Sequence, residues 1–220
     1  MKKLLMVLLS AMLVMSLTAC DSGPKKPEEK AEEKAIDIQE GEMSGDTYTN
    51  DSLGFKMDIP KGWAMASEEE MLQVIQMGAE LVNNDEYTDL ADAFEKGLIE
   101  GYPLFIASED ALSKVNNSTS SIQVTVERGD VDAEAFSEAL KQYLESLTMI
   151  DYEVSDSEEL TINGNTFYKT VATATPMGVD LSQAYYAYKL DGYILLVTTT
   201  VIDPDIEEEI EKAVMSIEIK

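Results

Sequence analysis

Histidine is absent from this 220-residue chain, and cysteine occurs once, as Cys20. Without an imidazole, the Ser-His-Asp and Cys-His arrangements that activate a nucleophile lack their base. Zinc sites assembled from His and Cys are excluded by the same shortage. A single cysteine closes no disulfide within the chain, so the fold must stand on its core, which a domain of this length can supply. Basic residues are scarce too: 16 Lys and Arg face 43 Asp and Glu, a formal charge of -27 at neutral pH. Such a surface repels phosphate backbones and anionic headgroups and favours cationic partners. No nucleic-acid partner is therefore expected. No Gly-rich phosphate loop or dinucleotide fingerprint is present, so no cofactor is expected either.

What is present begins at the N-terminus. Lys2 and Lys3 form a short positive head, Leu4 to Met15 is almost wholly apolar, and Thr18 and Ala19 lead into Cys20. This is the pattern of an export signal, with an apolar run too short for a permanent span. Leu17-Thr18-Ala19-Cys20 resembles the lipobox of bacterial lipoproteins. The resemblance implies a diacylglyceryl group on the Cys20 thiol, cleavage after Ala19, and acylation of the new amine. Two or more acyl chains, at about 0.8 kcal/mol per buried methylene, make a stable anchor. Residues 1–19 are thus expected to be signal. Residues 20–46 are expected to be a lipidated, disordered acidic linker on the extracytoplasmic face of the cell membrane. The linker contains Pro24, Pro27 and a charged run in which Glu28/Glu32, Glu29/Glu33 and Lys30/Lys34 place like charges four apart, which disfavours helix. Asp21 after the cysteine resembles the inner-membrane retention signal of two-membrane bacteria.

Residues 47–220 read as one α+β domain. Phe55, Met57 and Ile59 alternate with Lys56 and Asp58 as a half-buried strand that Pro60 and Gly62 end. Ser67 and Glu70 form a capping box for a helix bearing Met71, Val74, Ile75, Ala79 and Val82 on one face. A second helical stretch is expected over 87–99. Ile122, Val124 and Val126 alternate with Gln123, Thr125 and Glu127 in a further strand. Asp132 caps a helix that buries Phe136, Leu140, Tyr143, Leu144 and Leu147. Asn163-Gly164 and Asp191-Gly192 signal hairpins. Asp203 and Pro204 start a last helix with Ile206, Ile210, Ala213, Val214 and Ile217 as its stripe. Hairpins throughout the second half leave no room for parallel crossovers. The expectation is an antiparallel sheet with amphipathic helices packed on it.

Tyr48 and the run Leu53-Gly54-Phe55-Lys56-Met57-Asp58-Ile59-Pro60-Lys61-Gly62-Trp63 resemble the opening of PsbP-like domains. Those begin with an aromatic, a Gly-Phe strand ending in Pro-x-Gly-Trp, and a helix. The resemblance implies an α/β/α sandwich and an accessory, protein-binding role.

Candidate chemistry is sparse. Asn83, Asp85 and Asp89 have partial calcium-loop spacing, but the glycine and closing glutamate of an EF-hand are missing, so a polar connector is the reading and no metal site is assigned. Ser113-Lys114 lacks an elbow or oxyanion hole. Arg128-Gly129-Asp130 spells an adhesion tripeptide at a turn. Tyr185, Tyr186 and Tyr188 crowd one strand, with Tyr186 and Tyr188 on one face and Tyr185 on the other, and stand as a candidate interaction surface beside the packing role common for strand tyrosines. The expected function is a non-catalytic, membrane-anchored interaction module that meets an envelope protein. The alternative is a carrier holding a small or lipidic ligand, which needs an apolar cavity of about 300 Å³ or more.

Overall fold

The computed structural model describes residues 38–80, 101–112, 119–147 and 150–220. The signal, Cys20, the helical stretch at 87–99, the Asn83/Asp85/Asp89 set and Ser113-Lys114 lie outside the described residues.

Short alternating strands at the start of the domain pair with one another. β1 (Glu42–Ser44), β2 (Thr47–Asn50), β3 (Phe55–Asp58) and β12 (Glu218–Ile219) form a sheet in the order β1-β2-β3-β12. Phe55 and Met57 are buried and Lys56 and Asp58 exposed, as the alternation predicts. Gly54 adopts φ 61°, and a Cβ there would lie 2.8 Å from the Lys220 carbonyl oxygen. Only glycine lets the chain end approach so closely.

The folded chain starts earlier than the expected boundary at 47. β1 lies inside the segment expected as linker, Ile38 packs on the core, and the Gln39 carbonyl accepts from Asn50 Nδ2 at 2.8 Å. A three-residue edge strand has no periodicity of its own to read. Its partner supplies the order.

The larger sheet has eight strands, all pairings antiparallel. Its order is β4 (Ala64–Met65), β5 (Gly101–Ser108), β6 (Ser121–Arg128), β11 (Tyr193–Val201), β10 (Leu181–Leu190), β9 (Asn165–Ala174) and β7 (Glu153–Val154), with β8 (Glu158–Ile162) also paired to β9. Pro103 lies inside β5 where the register shifts before Phe105. A proline lacks the N–H of a regular ladder and is tolerated at such a bulge. Ile162 pairs with Asn165 across Asn163 (φ 46°) and Gly164 (φ 85°), the two positive angles of the predicted tight hairpin.

Among the described residues three helices flank the sheets. α1 (Glu68–Glu80) opens with the predicted box: Ser67 N–H donates to Glu70 Oε2 at 2.9 Å and Glu70 N–H to Ser67 Oγ at 3.3 Å. α2 (Ala133–Ser146) starts at Asp132, whose Oδ1 accepts from Ala135 N–H at 2.7 Å. α3 (Glu207–Met215) follows a 3-10 turn at Pro204–Ile206. α2 buries Phe136, Leu140 and Leu144 against Tyr185, Ile194 and Leu196 on one face of the large sheet. On the other face α3 and the small sheet bury Ile210, Val214, Tyr48 and Phe55 against Val124, Leu195 and Val197. The class is α+β as expected, with two antiparallel sheets where one was anticipated.

One side chain ties the layers together. Asn163 Nδ2 donates to the carbonyls of Met215 at 3.2 Å and Ile217 at 2.9 Å, locking the β8–β9 turn to the end of α3. Asn163→Gly keeps the turn but removes both bonds and should cost about 1–2 kcal/mol in urea unfolding. Asn163→Ala should cost more, because alanine is strained at positive φ. Wild-type stability in Asn163→Gly would show that the tie contributes nothing.

Candidate functional site

Strand β10 carries the three tyrosines singled out in the sequence, and it lies inside the sheet with both faces covered. Tyr185 is 1% exposed, and its hydroxyl donates to Gln183 Oε1 at 2.9 Å. Tyr152 donates to the same oxygen at 2.9 Å, and Gln183 Nε2 donates to Thr200 Oγ1 at 3.2 Å. Tyr186 is buried on the opposite face beneath α3, with Lys169 Nζ 5.9 Å from its ring centre. Tyr188 is half-buried against Phe167, ring centres 5.0 Å apart, and donates to Asn165 Oδ1 at 3.3 Å. The predicted split between faces holds. The candidate interaction surface does not: an inner strand between two packed layers presents its tyrosines to the core.

Gln123, Thr125 and Glu127, which alternate with the apolar residues of β6, are all three buried. With Thr198, Thr200, Gln183 and Thr170 they form a polar belt across the α2-side face of the sheet. Gln123 Oε1 and Thr170 Oγ1 have no hydrogen-bond partner there. The Arg128-Gly129-Asp130 turn is built into the fold: Gly129 N–H donates to the Gly192 carbonyl at 3.2 Å, and Lys189 Nζ donates to the Gly129 carbonyl at 2.9 Å and lies 3.7 Å from Asp130.

A recess that opens to solvent lies elsewhere. A groove of about 570 Å³ lies where β9, β10 and β11 end. Ala174, Leu181, Val201, Ile202 and Pro204 give it apolar walls. Asp151 and Glu153 reach it from the β7 side, Asp180 from the start of β10 and Glu207 from the first turn of α3. Asp180 Oδ1 accepts from the Thr175 hydroxyl at 3.0 Å. Among the described residues no lysine or arginine lines it. A smaller recess of about 120 Å³ adjoins it under α3, shares Ser182, Val201 and Glu207, and adds Lys169, Tyr186 and Glu211. Nearby, the Glu109 carboxyl is held above its ordinary range, first by desolvation and then by the charges of Asp203, Asp110 and Glu209. Among the described residues no three His, Cys, Asp or Glu side chains converge as metal ligands. Sequence reading missed this groove because its walls come from residues far apart along the chain.

No protein-family model matches the chain, and no curated protein matches it in sequence. Solved structures do resemble it. Cyanobacterial PsbP (CyanoP) from Synechocystis sp. PCC 6803 superposes with a TM-score of 0.49 at 8% identity, over 86% of this chain and 96% of that one. LpqN, involved in cell envelope biogenesis of Mycobacterium tuberculosis, superposes with a TM-score of 0.40 at 12% identity, over 74% of this chain and 78% of that one. Among the described residues no helix is long and apolar enough to cross a membrane.

The buried tyrosines make a pH prediction. Burial, and secondarily Glu211, Glu158 and Glu207, pushes the Tyr186 hydroxyl from 10.0 up to about 12. Burial also raises Tyr152 and Tyr185. A raised folded value means a stability contribution that is complete below pH 10.0 and is lost as pH climbs towards about 12. Tyr186→Phe should lessen the alkaline fall in urea stability by about 2–3 kcal/mol. An unchanged alkaline limb would show that Tyr186 ionises as freely in the folded chain as in the unfolded one.

Proposed function

We propose that this chain is a lipid-anchored, extracytoplasmic recognition module that acts by binding a protein of the cell envelope. Lys2, Lys3, the apolar run and Cys20 support the location. The observation that carries the binding role is the contrast between closed and open surfaces. Both faces of the large sheet bury their apolar side chains under helices and the small sheet, while the groove at its end stays open and lined with carboxylates. An open acidic recess suits a cationic macromolecular partner better than an enclosed lipid, which needs apolar walls all round. The reading is non-catalytic: the chain has no histidine, and lipidation consumes its one thiol.

Two measurements in intact cells test this. Cys20→Ser should lose metabolic palmitate labelling and move from the detergent phase to the aqueous phase. Retention in detergent without label would contradict the anchor. Cross-linking with mass spectrometry should recover the same envelope protein from the anchored wild type in every replicate. Failure to recover any recurrent partner would contradict the recognition role.

A further inference from the structure

We propose that the groove at the end of β9, β10 and β11 receives lysine or arginine side chains of the partner protein, their aliphatic stems on Leu181, Val201 and Pro204 and their charged heads among Asp151, Glu153, Asp180 and Glu207. This deepens the recognition reading and rests on it.

Shape comes first. At about 570 Å³ the groove is far larger than an ion or a cluster of waters requires, and it lies within the range of sites that enclose an organic group. Its lining is mixed in a particular way, with apolar walls beside carboxylates and, among the described residues, no basic side chain. A long cationic side chain has the same two parts, an apolar stem and a charged tip.

Spacing then narrows the ligand. The four carboxylates come from separate positions before and within β7, before β10 and on α3. Among the described residues they do not gather into a metal-ligating group. Distributed charge of this kind fits several heads, or one forked head, better than a single hard cation. The surroundings add the same sign, since Asp203 and Glu209 act on Glu109 at this end of the sheet. Among the described residues no lysine or arginine shares the lining, so a cationic head entering here meets carboxylates without a competing cation. Phosphate and nucleic acid are repelled for the same reason.

The probe is a blocked tetralysine peptide, with its fully acetylated form as the uncharged control, titrated into the folded domain and followed by amide NMR. The expected shifts cluster at Thr173, Leu181, Ser182 and Ile202, and the acetylated peptide leaves them still. Glu153→Gln with Glu207→Gln should weaken tetralysine at least about fivefold, whereas Glu42→Gln with Glu138→Gln, an equal charge change on exposed residues away from the groove, should weaken it less than about twofold. Should the groove pair disturb folding, Thr173→Lys serves instead: it adds a cation on the exposed groove wall opposite Glu153 and should abolish the clustered shifts. Equal weakening by the two pairs, shifts scattered over the acidic surface, or no tetralysine binding would each overturn the groove as the site. Those results would leave the recognition role to its own cross-linking test.

Discussion

The β10–β11 hairpin is the constraint on which the rest of the structure depends. Its nine consecutive pairs, from Ser182 with Val201 to Leu190 with Tyr193, fix which side chains face which layer. Tyr186, Leu195 and Val197 point to α3 and the small sheet, while Tyr185, Ile194 and Leu196 point to α2. A slip of one residue would exchange every one of these, because side chains alternate with period two. β6 and β9 then add to the outer edges of this pair in register, and the helices cover what the register exposes. Closure at Asp191-Gly192, with Gly192 at φ 73°, sets that register locally.

Burying both faces of the sheet has a consequence for function. The side chains that first look suited to recognition, the tyrosines of β10, are consumed by packing and by the Gln183 network. The open ends of the strands remain. There carboxylates from several elements line one groove, and among the described residues no lysine or arginine lines it with them. An excess of acidic residues thus becomes directional rather than a diffuse surface property. A recess whose described lining is acidic and carries no basic side chain attracts cationic groups and repels anionic ones.

Much of this was legible before the structure. Ser67 with Glu70, Asp132, and Asn163-Gly164 each act through local geometry, and each stands where its chemistry predicted. The stripe of α2 held for the same reason at Phe136, Leu140 and Leu144, which are spaced to share one face. What stayed hidden depends on distant partners. β1, β4, β7 and β12 have two or three residues each and exist because another strand is beside them. The burial of Gln123, Thr125 and Glu127 could not be read, since alternation says which residues share a face and not whether that face is covered. The tyrosine surface failed on the same point. The groove was invisible because Asp151, Asp180, Val201 and Glu207 meet only after the sheet has formed.

Residue-resolved amide hydrogen exchange on the folded domain tests the central claim most directly. If the β10–β11 pair organises the molecule, the amides of Tyr185, Tyr186, Leu195 and Val197 exchange slowest and share one opening free energy equal to global unfolding, while Glu42 to Ser44 exchange early. Exchange at the centre of β10 and β11 as fast as in that edge strand would contradict the account.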